Sequence, residues 1–545
     1  MGSGRNKVKS GCRTCKIRKV KCDEGRPACT RCINGRRICE GYGIWGGGST
    51  EADTTDQVKM IKVTPSEPPK IKMNREDTEW MDWFRSITTV RLQGPFKNAF
   101  WQSLVLRASL HEPSVFHASL AISALHKQIV MGVQLPGPGG EPDQVEQFTL
   151  RQYNKAIHQL LQPQFGPRNK PAIRTALVAC MIFVCLEYLR GRFKTGHHHL
   201  LCGMKLLPVL MQFAGSNREP VDDDLIFIFT SVNLAAVQLG HGVPTPTAEF
   251  KPTPLPLPLL FKDLGHAREV LDRLTNDILY LEANRGDGAE IERERIKREL
   301  AAWLAVYSAS KPTIQAALGP SRITSLAYQA LTMRYPMIKI MAETCLREPG
   351  DEMVFDNYTA DFIHLITQAT QFLMAIQGLH MYRKEPIFKL IETELVHFSA
   401  NLGWTPQMYY AALHCRLRSI RWRAFQLLRA FRSREGIWDA QVVASAAEEV
   451  MRMEEGVDSL QEFVAKNDLL FKFVGSDERE EDSRLETGDD LLPLPPASSR
   501  VSDVRIALPE EIVVPYQHTF TCRLKTDGGG TEEITREYWL VAWPI

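Results

Sequence analysis

GCRTCKIRKVKCDEGRPACTRCINGRRICEG, residues Gly11 to Gly41, is the stretch on which the reading of this 545-residue chain turns. It holds six of the 12 cysteines, Cys12, Cys15, Cys22, Cys29, Cys32 and Cys39, spaced C-x2-C-x6-C-x6-C-x2-C-x6-C. The stretch is an internal repeat: a shift of 17 residues maps Cys12, Cys15 and Cys22 onto Cys29, Cys32 and Cys39. Paired C-x2-C units mark zinc sites, and a tetrahedral zinc takes four ligands. Six thiolates exceed one zinc and satisfy two only if two of them bridge. Bridging ligands should be equivalent under the repeat, so Cys12 and Cys29, each opening its half, are the expected bridges.

The charge is as uneven as the cysteine content. Met1 to Glu40 carries 12 Lys+Arg against 3 Asp+Glu, a formal +9, which six thiolates and two zinc ions lower to about +7. The other 505 residues carry 54 Lys+Arg against 61 Asp+Glu, so the overall +2 hides a basic knot joined to a mildly acidic body. That asymmetry is a nucleic-acid-binding signature. A disulfide scaffold would need a secretory context, and no apolar leader follows Met1. No run of 18 uncharged apolar residues predicts a membrane span. Reduced thiolates and the basic run predict a nuclear protein.

With this spacing, the basic run Lys16-Ile17-Arg18-Lys19-Val20-Lys21 and Pro27 two residues before the fourth cysteine, the stretch resembles the binuclear zinc-cluster DNA-binding domain of fungal transcription factors. The resemblance implies a short helix after each C-x2-C, the first entering the major groove at a CGG-type triplet. Arg18 and Lys19 match the family's base-reading pair, and Lys16 and Lys21 match flanking basic positions. Arg or Lys donating to guanine O6 and N7 is the chemistry such a site needs.

Gly41 to Arg75, with Gly46-Gly47-Gly48, Pro65, Pro68 and Pro69, has linker composition. Val58, Met60, Ile61 and Val63 do not extend to a heptad repeat, so a dimerising coiled coil is not expected there. Any homodimer should form through the body. From Glu76 the pattern is helical. Helices are predicted around Pro113 to Val130, Val145 to Leu161, Ala172 to Leu189, His266 to Leu281, Glu290 to Ser308, Ser321 to Cys345, Asp361 to Leu379, Thr405 to Phe431 and Trp438 to Ala465. Pro113 should sit at a helix start, and Pro336 should kink or break its helix. Ala172 to Leu189 is nearly all apolar and should be central. Phe100 to His126, Gln152 to Ile157 and Ala179 to Leu207 resemble the fungal-specific transcription factor domain. That implies a helical regulatory region that binds effectors or partner proteins and has no established catalytic residues.

The body carries few candidates for catalysis. His198 and Cys202 share a helical face while His197 and His199 diverge, which leaves two ligands without a third. Glu187 and Arg190 read as an ion pair, and Cys180 and Cys185 as core thiols. There is no P-loop, G-x-S-x-G or dinucleotide fingerprint. Asp477 to Asp490 is acidic and runs into Leu491-Leu492-Pro493-Leu494, which reads as a disordered segment or an activation segment that recruits transcription machinery. Val513 to Lys525 and Glu533 to Trp543 flank Gly528-Gly529-Gly530 and read as a β-hairpin.

The expected fold is therefore a small binuclear zinc-cluster domain with two short helices, then a mainly α-helical regulatory domain and a C-terminal β-hairpin. The expected divisions are 1–43 for the DNA-binding domain, 44–75 for the linker and 76–473 for the helical domain. An acidic, proline-rich disordered segment, 474–512, and a tail, 513–545, complete the chain. The function read from this is a non-enzymatic, sequence-specific transcription factor of RNA polymerase II genes, binding double-stranded DNA and controlling one pathway, such as a secondary-metabolite gene cluster. The alternatives are a regulator of primary metabolism or development, and an enzyme or metabolite-binding protein tethered to nucleic acid by a zinc knot.

Overall fold

The computed structural model describes residues 14–15, 18, 20–23, 29–35, 71–131, 143–162, 170–214, 219–242, 257–318, 322–380, 398–430, 433–458, 493–508, 516–525 and 531–540. The helical body opens at Asn74, whose side chain accepts from Asp77 N while the Asp77 carboxylate accepts from Asn74 N, a capping box that starts the helix Arg75–Trp83. Pro113 occupies the first turn of Pro113–Val130, as its fixed φ and missing N–H predict. Helix Gln144–Leu160 matches the helix expected around Val145 to Leu161, and Phe193–Ala214 is a further helix that the pattern did not predict.

Lys170–Leu189 is the central helix. It packs against Pro113–Val130 and against Phe193–Ala214. Among the described residues it is the one helix long and apolar enough to cross a membrane, and its apolar window is 94% buried inside the body. Burial on all sides explains why its apolar residues show no single face. Phe193–Ala214 also crosses Pro220–Gln238 closely. A Cβ on Gly203 would lie 2.1 Å from the Phe229 ring, so only glycine fits there.

The second half of the body contains Leu264–Ala283, Ala289–Leu318, Arg322–Thr344, Thr359–His380, Thr405–His414, Arg418–Ala430 and Ala440–Glu455. Trp303 is fully buried, stacks on Tyr307 and Tyr335, and donates from Nε1 to Ala267 O at 2.8 Å. Arg322–Thr344 continues through Pro336, so the proline does not break the helix. Met337, Ile338 and Ile340 are buried beyond the proline, and their burial outweighs the lost hydrogen bond.

Two predicted helices differ from expectation for identifiable reasons. The span expected as one helix from Thr405 to Phe431 is two, because Cys415 turns extended at φ −78°, ψ 128°. The turn delivers Arg416 to Glu352 and Glu454, at 3.3 and 2.9 Å. The helix expected from Trp438 begins at Ala440, since Trp438–Asp439 is a strand and Asp439 caps the helix. It ends at Gly456, which has the left-handed φ of +61° that glycine adopts freely. Residues 459–465 of that prediction lie outside the described residues.

Strands Phe398–Ser399 (β1), Arg434–Glu435 (β2) and Trp438–Asp439 (β3) form a small sheet, with β1 parallel to β2 and β2 antiparallel to β3. Buried Glu435 accepts from Gly403 N at 2.8 Å and Trp404 N at 3.1 Å, at the head of Thr405–His414. A second sheet, Val501–Ile506 (β4), Tyr516–Lys525 (β5) and Thr531–Leu540 (β6), is antiparallel in the order β4-β5-β6. The predicted hairpin is thus part of a three-stranded sheet. Its third strand lies inside the 474–512 segment that was expected to be disordered, so that expectation fails over Val501–Ile506. The sheet packs on Ala440–Glu455, and Val501, Ile506, Phe520, Cys522 and Tyr538 belong to the body's core.

Candidate metal centre and nucleic-acid interface

Of the predicted ligands and DNA contacts, Cys15, Cys22, Cys29, Cys32, Arg18 and Lys21 are among the described residues, whereas Cys12, Cys39, Lys16 and Lys19 lie outside them. Thr14 and Cys15 form a helical turn, closed by Arg18 N donating to Thr14 O at 3.2 Å and Val20 N donating to Cys15 O at 3.1 Å. The second half repeats the device. Cys29 is the N-cap of the helix Thr30–Asn34, in extended geometry, and its Sγ accepts from Cys32 N at 3.3 Å. A backbone N–H aimed at sulfur favours the thiolate, which is the form that binds zinc.

Asp23 braces the two halves. Its carboxylate accepts from Thr30 N at 2.9 Å, Thr30 Oγ1 at 2.6 Å and Arg31 N at 2.9 Å. These bonds, the Thr30 hydroxyl foremost, hold its pKa well below the usual carboxylate range.

The sulfurs converge. Cys15 Sγ lies 3.6 Å from Cys29 Sγ and 3.9 Å from Cys32 Sγ. Two thiolates about 2.3 Å from one tetrahedral zinc stand about 3.8 Å apart, so these spacings are those of sulfurs sharing a metal. Two groupings bring their ligand atoms within 4.8 Å of one another: Cys15, Cys29 and Cys32, and Cys22, Asp23 and Cys29. Cys29 is the thiol common to both. None of the described cysteines forms a disulfide. Cys15, Cys22, Cys29 and Cys32 are buried while Arg18 and Lys21 are exposed, so the knot turns its sulfurs inward and its cations outward.

Cys15, Cys22, Cys29 and Cys32 thus gather as the ligands of a thiolate metal centre would, and the family comparison says of what kind. Residues 10–44 are a fungal Zn(2)-Cys(6) binuclear cluster domain. Such a domain binds two zinc ions, and the described thiols fit them in chemistry and spacing. Residues 82–228 match the fungal specific transcription factor domain, so the chain carries both domains of the fungal zinc-cluster regulators.

The chain is similar to the aspercryptin biosynthesis cluster-specific transcription regulator of Emericella nidulans, 28% identical over 223 residues, covering 38% of this chain and 35% of that one. A transcription regulator of Purpureocillium lilacinum is 26% identical over 202 residues, 35% of this chain and 47% of the relative. The pestheic acid cluster transcriptional regulator 3 of Pestalotiopsis fici is 44% identical over 57 residues, 10% of each chain. The alignments thus span about a third to a half of the first two relatives. No solved structure matches the chain.

Elsewhere in the body the candidate ligands disperse. His199 Nε2 pairs with Tyr153 OH at 2.8 Å, His198 Nε2 lies 3.7 Å from Cys202 Sγ, and the His197 ring faces His241 at 6.0 Å. Arg190 lies 3.9 Å from Glu187 but makes its close pair with Glu146, a partner that sequence spacing could not name. Burial pushes the Cys180 thiol up to about 12 and raises that of Cys185, so neither is a ready nucleophile.

Proposed function

We propose that this chain is a nuclear, sequence-specific transcription regulator whose zinc cluster reads CGG-type triplets in double-stranded DNA. The six thiolates Cys12, Cys15, Cys22, Cys29, Cys32 and Cys39 hold two zinc ions, with Cys12 and Cys29 bridging. Arg18 and Lys19 donate to guanine edges, and Lys16 and Lys21 hold the flanking phosphates. The helical body regulates the cluster, contacts co-regulators or the transcription machinery and supplies any homodimer contact. The regulated genes form one pathway, of the biosynthetic-cluster kind named for two of the relatives.

The observation that carries this reading is the position of Cys29. Its sulfur belongs to both groupings of ligand atoms, as a bridge must, in a knot whose described cations are exposed. Zinc here has a structural role: it fixes the short helices so that the basic side chains are presented in one geometry.

The test is fluorescence anisotropy of the zinc-loaded full-length chain on a duplex with CGG triplets and on one with the triplets scrambled. The expected result is tighter binding to the CGG duplex, with Lys19→Ala costing about 1–3 kcal/mol there and relaxing the preference. Equal affinity for both duplexes would overturn the reading.

A further inference from the structure

The two edges of the C-terminal sheet differ. An open strand edge is a row of unpaired N–H and C=O groups that takes up another chain, and proteins blunt it with short strands, lysine, proline, bulges or a covering element. β4 has several of these devices. It is six residues long, and its register with β5 shifts in a bulge between Ser502 and Arg505, where Asp503 has a left-handed φ of +51°. It is also pinned to the body. Arg500 donates to both Asp356 carboxylate oxygens at 2.8 and 2.7 Å, and His241 Nε2 lies 2.6 Å from Ile506 O.

β6, the other edge, lacks them among the described residues. Its sequence TEEITREYWL holds no proline, glycine or lysine, and its ten residues pair with β5 in one unbroken register. Its outer edge meets no further strand among the described residues, and Thr531, Glu532, Glu533, Thr535, Arg536 and Glu537 are exposed. The remaining guard is charge, and here both signs are present. Glu533 lies 3.9 Å from Arg523 of β5, whereas Glu532 and Arg536 make no ion pair or side-chain hydrogen bond among the described residues. These two lie on one face of the strand, either side of Ile534, which packs partly buried against the core.

A second copy of β6 extends the sheet only in certain registers. In a continuous antiparallel sheet, directly opposed residues point to the same face, so a two-fold axis must pass between a residue and its own copy. Centring the axis on Glu532, Glu533, Arg536 or Glu537 sets that charge against itself. Centring it on Thr535 sets Glu533 against the partner's Glu537. Centring it on Ile534 sets Glu532 opposite the partner's Arg536 and Arg536 opposite the partner's Glu532, with no like charges opposed. Opposite charges facing one another stabilise strand pairing, and like charges destabilise it.

We propose that the outer edge of β6 is a homodimer surface, on which a second copy of this chain pairs antiparallel about Ile534. Two three-stranded sheets then join into one. The surface deepens the reading in which the body, and not the linker, supplies the homodimer contact, and it rests on that reading. The paired segment is Thr531 to Glu537 of each copy, with the two Ile534 side chains meeting at the axis.

The test is sedimentation velocity of the zinc-loaded full-length chain over a wide range of concentration, without DNA. The expected result is a monomer–dimer equilibrium. Glu532→Arg and Arg536→Glu each replace both opposite-charge pairs with like-charge pairs, and each alone should weaken the dimer about tenfold. Both positions are exposed, so circular dichroism and the thermal transition of each variant should match the parent. Mixing the two variants should restore dimerisation, because one carries only cations and the other only carboxylates at the two paired positions. A parent that stays monomeric would overturn the proposal, as would a dimer that neither variant weakens or that mixing fails to restore. None of these outcomes bears on CGG reading, and equal affinity for CGG and scrambled duplexes would leave the dimer measurement standing.

Discussion

Around Cys29, the only apolar side chain packed against the buried sulfurs, among the described residues, is that of Val20. Around Leu177 in the central helix, one continuous apolar core runs from Met81 to Tyr538. The two regions hold themselves together by different physics. A segment as small as the cluster cannot bury enough surface to fold, so metal–thiolate bonds replace the missing core. The body is held by that core and places charges inside it, paired with one another. Arg416 reaches Glu352 and Glu454, Arg421 pairs with Glu454, and Arg500 pairs with Asp356. The difference teaches where each region is vulnerable: the cluster at its ligands, the body at its buried charges.

Chelation should separate the two most widely. Structural zinc contributes on the order of 10–16 kcal/mol in comparable small domains, so a strong chelator should unfold the cluster and abolish DNA binding. The helical circular dichroism of the body should persist with an unchanged thermal transition. Loss of body helicity on chelation would break the comparison.

Glu454→Ala probes the other side. Glu454 accepts from Arg416 at 2.9 Å and from Val501 N at 2.8 Å and pairs with Arg421, so its removal leaves the buried Arg421 guanidinium without its carboxylate, strips Arg416 of one of its two, and releases the start of β4. The expected cost is about 3–5 kcal/mol in urea unfolding of the body, with zinc content unchanged. A cost below about 1 kcal/mol would mean that the ion network is incidental.

Acid should reach the C-terminal sheet through His518. It is 2% exposed and its ring stacks on Tyr538 at 5.3 Å. Burial lowers its pKa from 6.5 to about 4, against an opposing pull from Asp439. Its neutral form therefore supports the fold fully above about pH 6.5. Below that the unfolded chain takes up a proton that the folded chain refuses until about pH 4, a loss of up to about 3 kcal/mol. Unfolding free energy measured from pH 7 to pH 4 should fall less steeply in His518→Gln. An identical pH profile would remove His518 from the account.

The sequence was most informative where the chemistry is local. Ligand spacing is a property of 28 consecutive residues, Cys12 to Cys39, and it pointed to the zinc cluster without any knowledge of the body. Helices with apolar faces were legible by period, and the central helix by the absence of one. Helices Phe193–Ala214 and Pro220–Gln238 were missed: Pro208 interrupts the first, and Thr230, Ser231 and Asn233 break both the apolar run and any single apolar face of the second. What stayed illegible depended on partners far apart in the chain. The break at Cys415 answers to Glu352 and Glu454, and β4 is held by Glu454, Asp356 and His241. The short alternation in VSDVRI is interrupted at Asp503, where the bulge lies, so the strand pattern failed there.

The central claim is that two zinc ions share a bridging thiolate at Cys29. Native mass spectrometry of the full-length chain tests it most directly, by counting zinc in the parent protein, in Cys29→Ala and in Cys39→Ala. The account predicts two zinc ions in the parent, disturbance of both in Cys29→Ala, and loss of mainly one in Cys39→Ala. A single zinc in the parent, or the loss of one zinc from each variant alike, would contradict it.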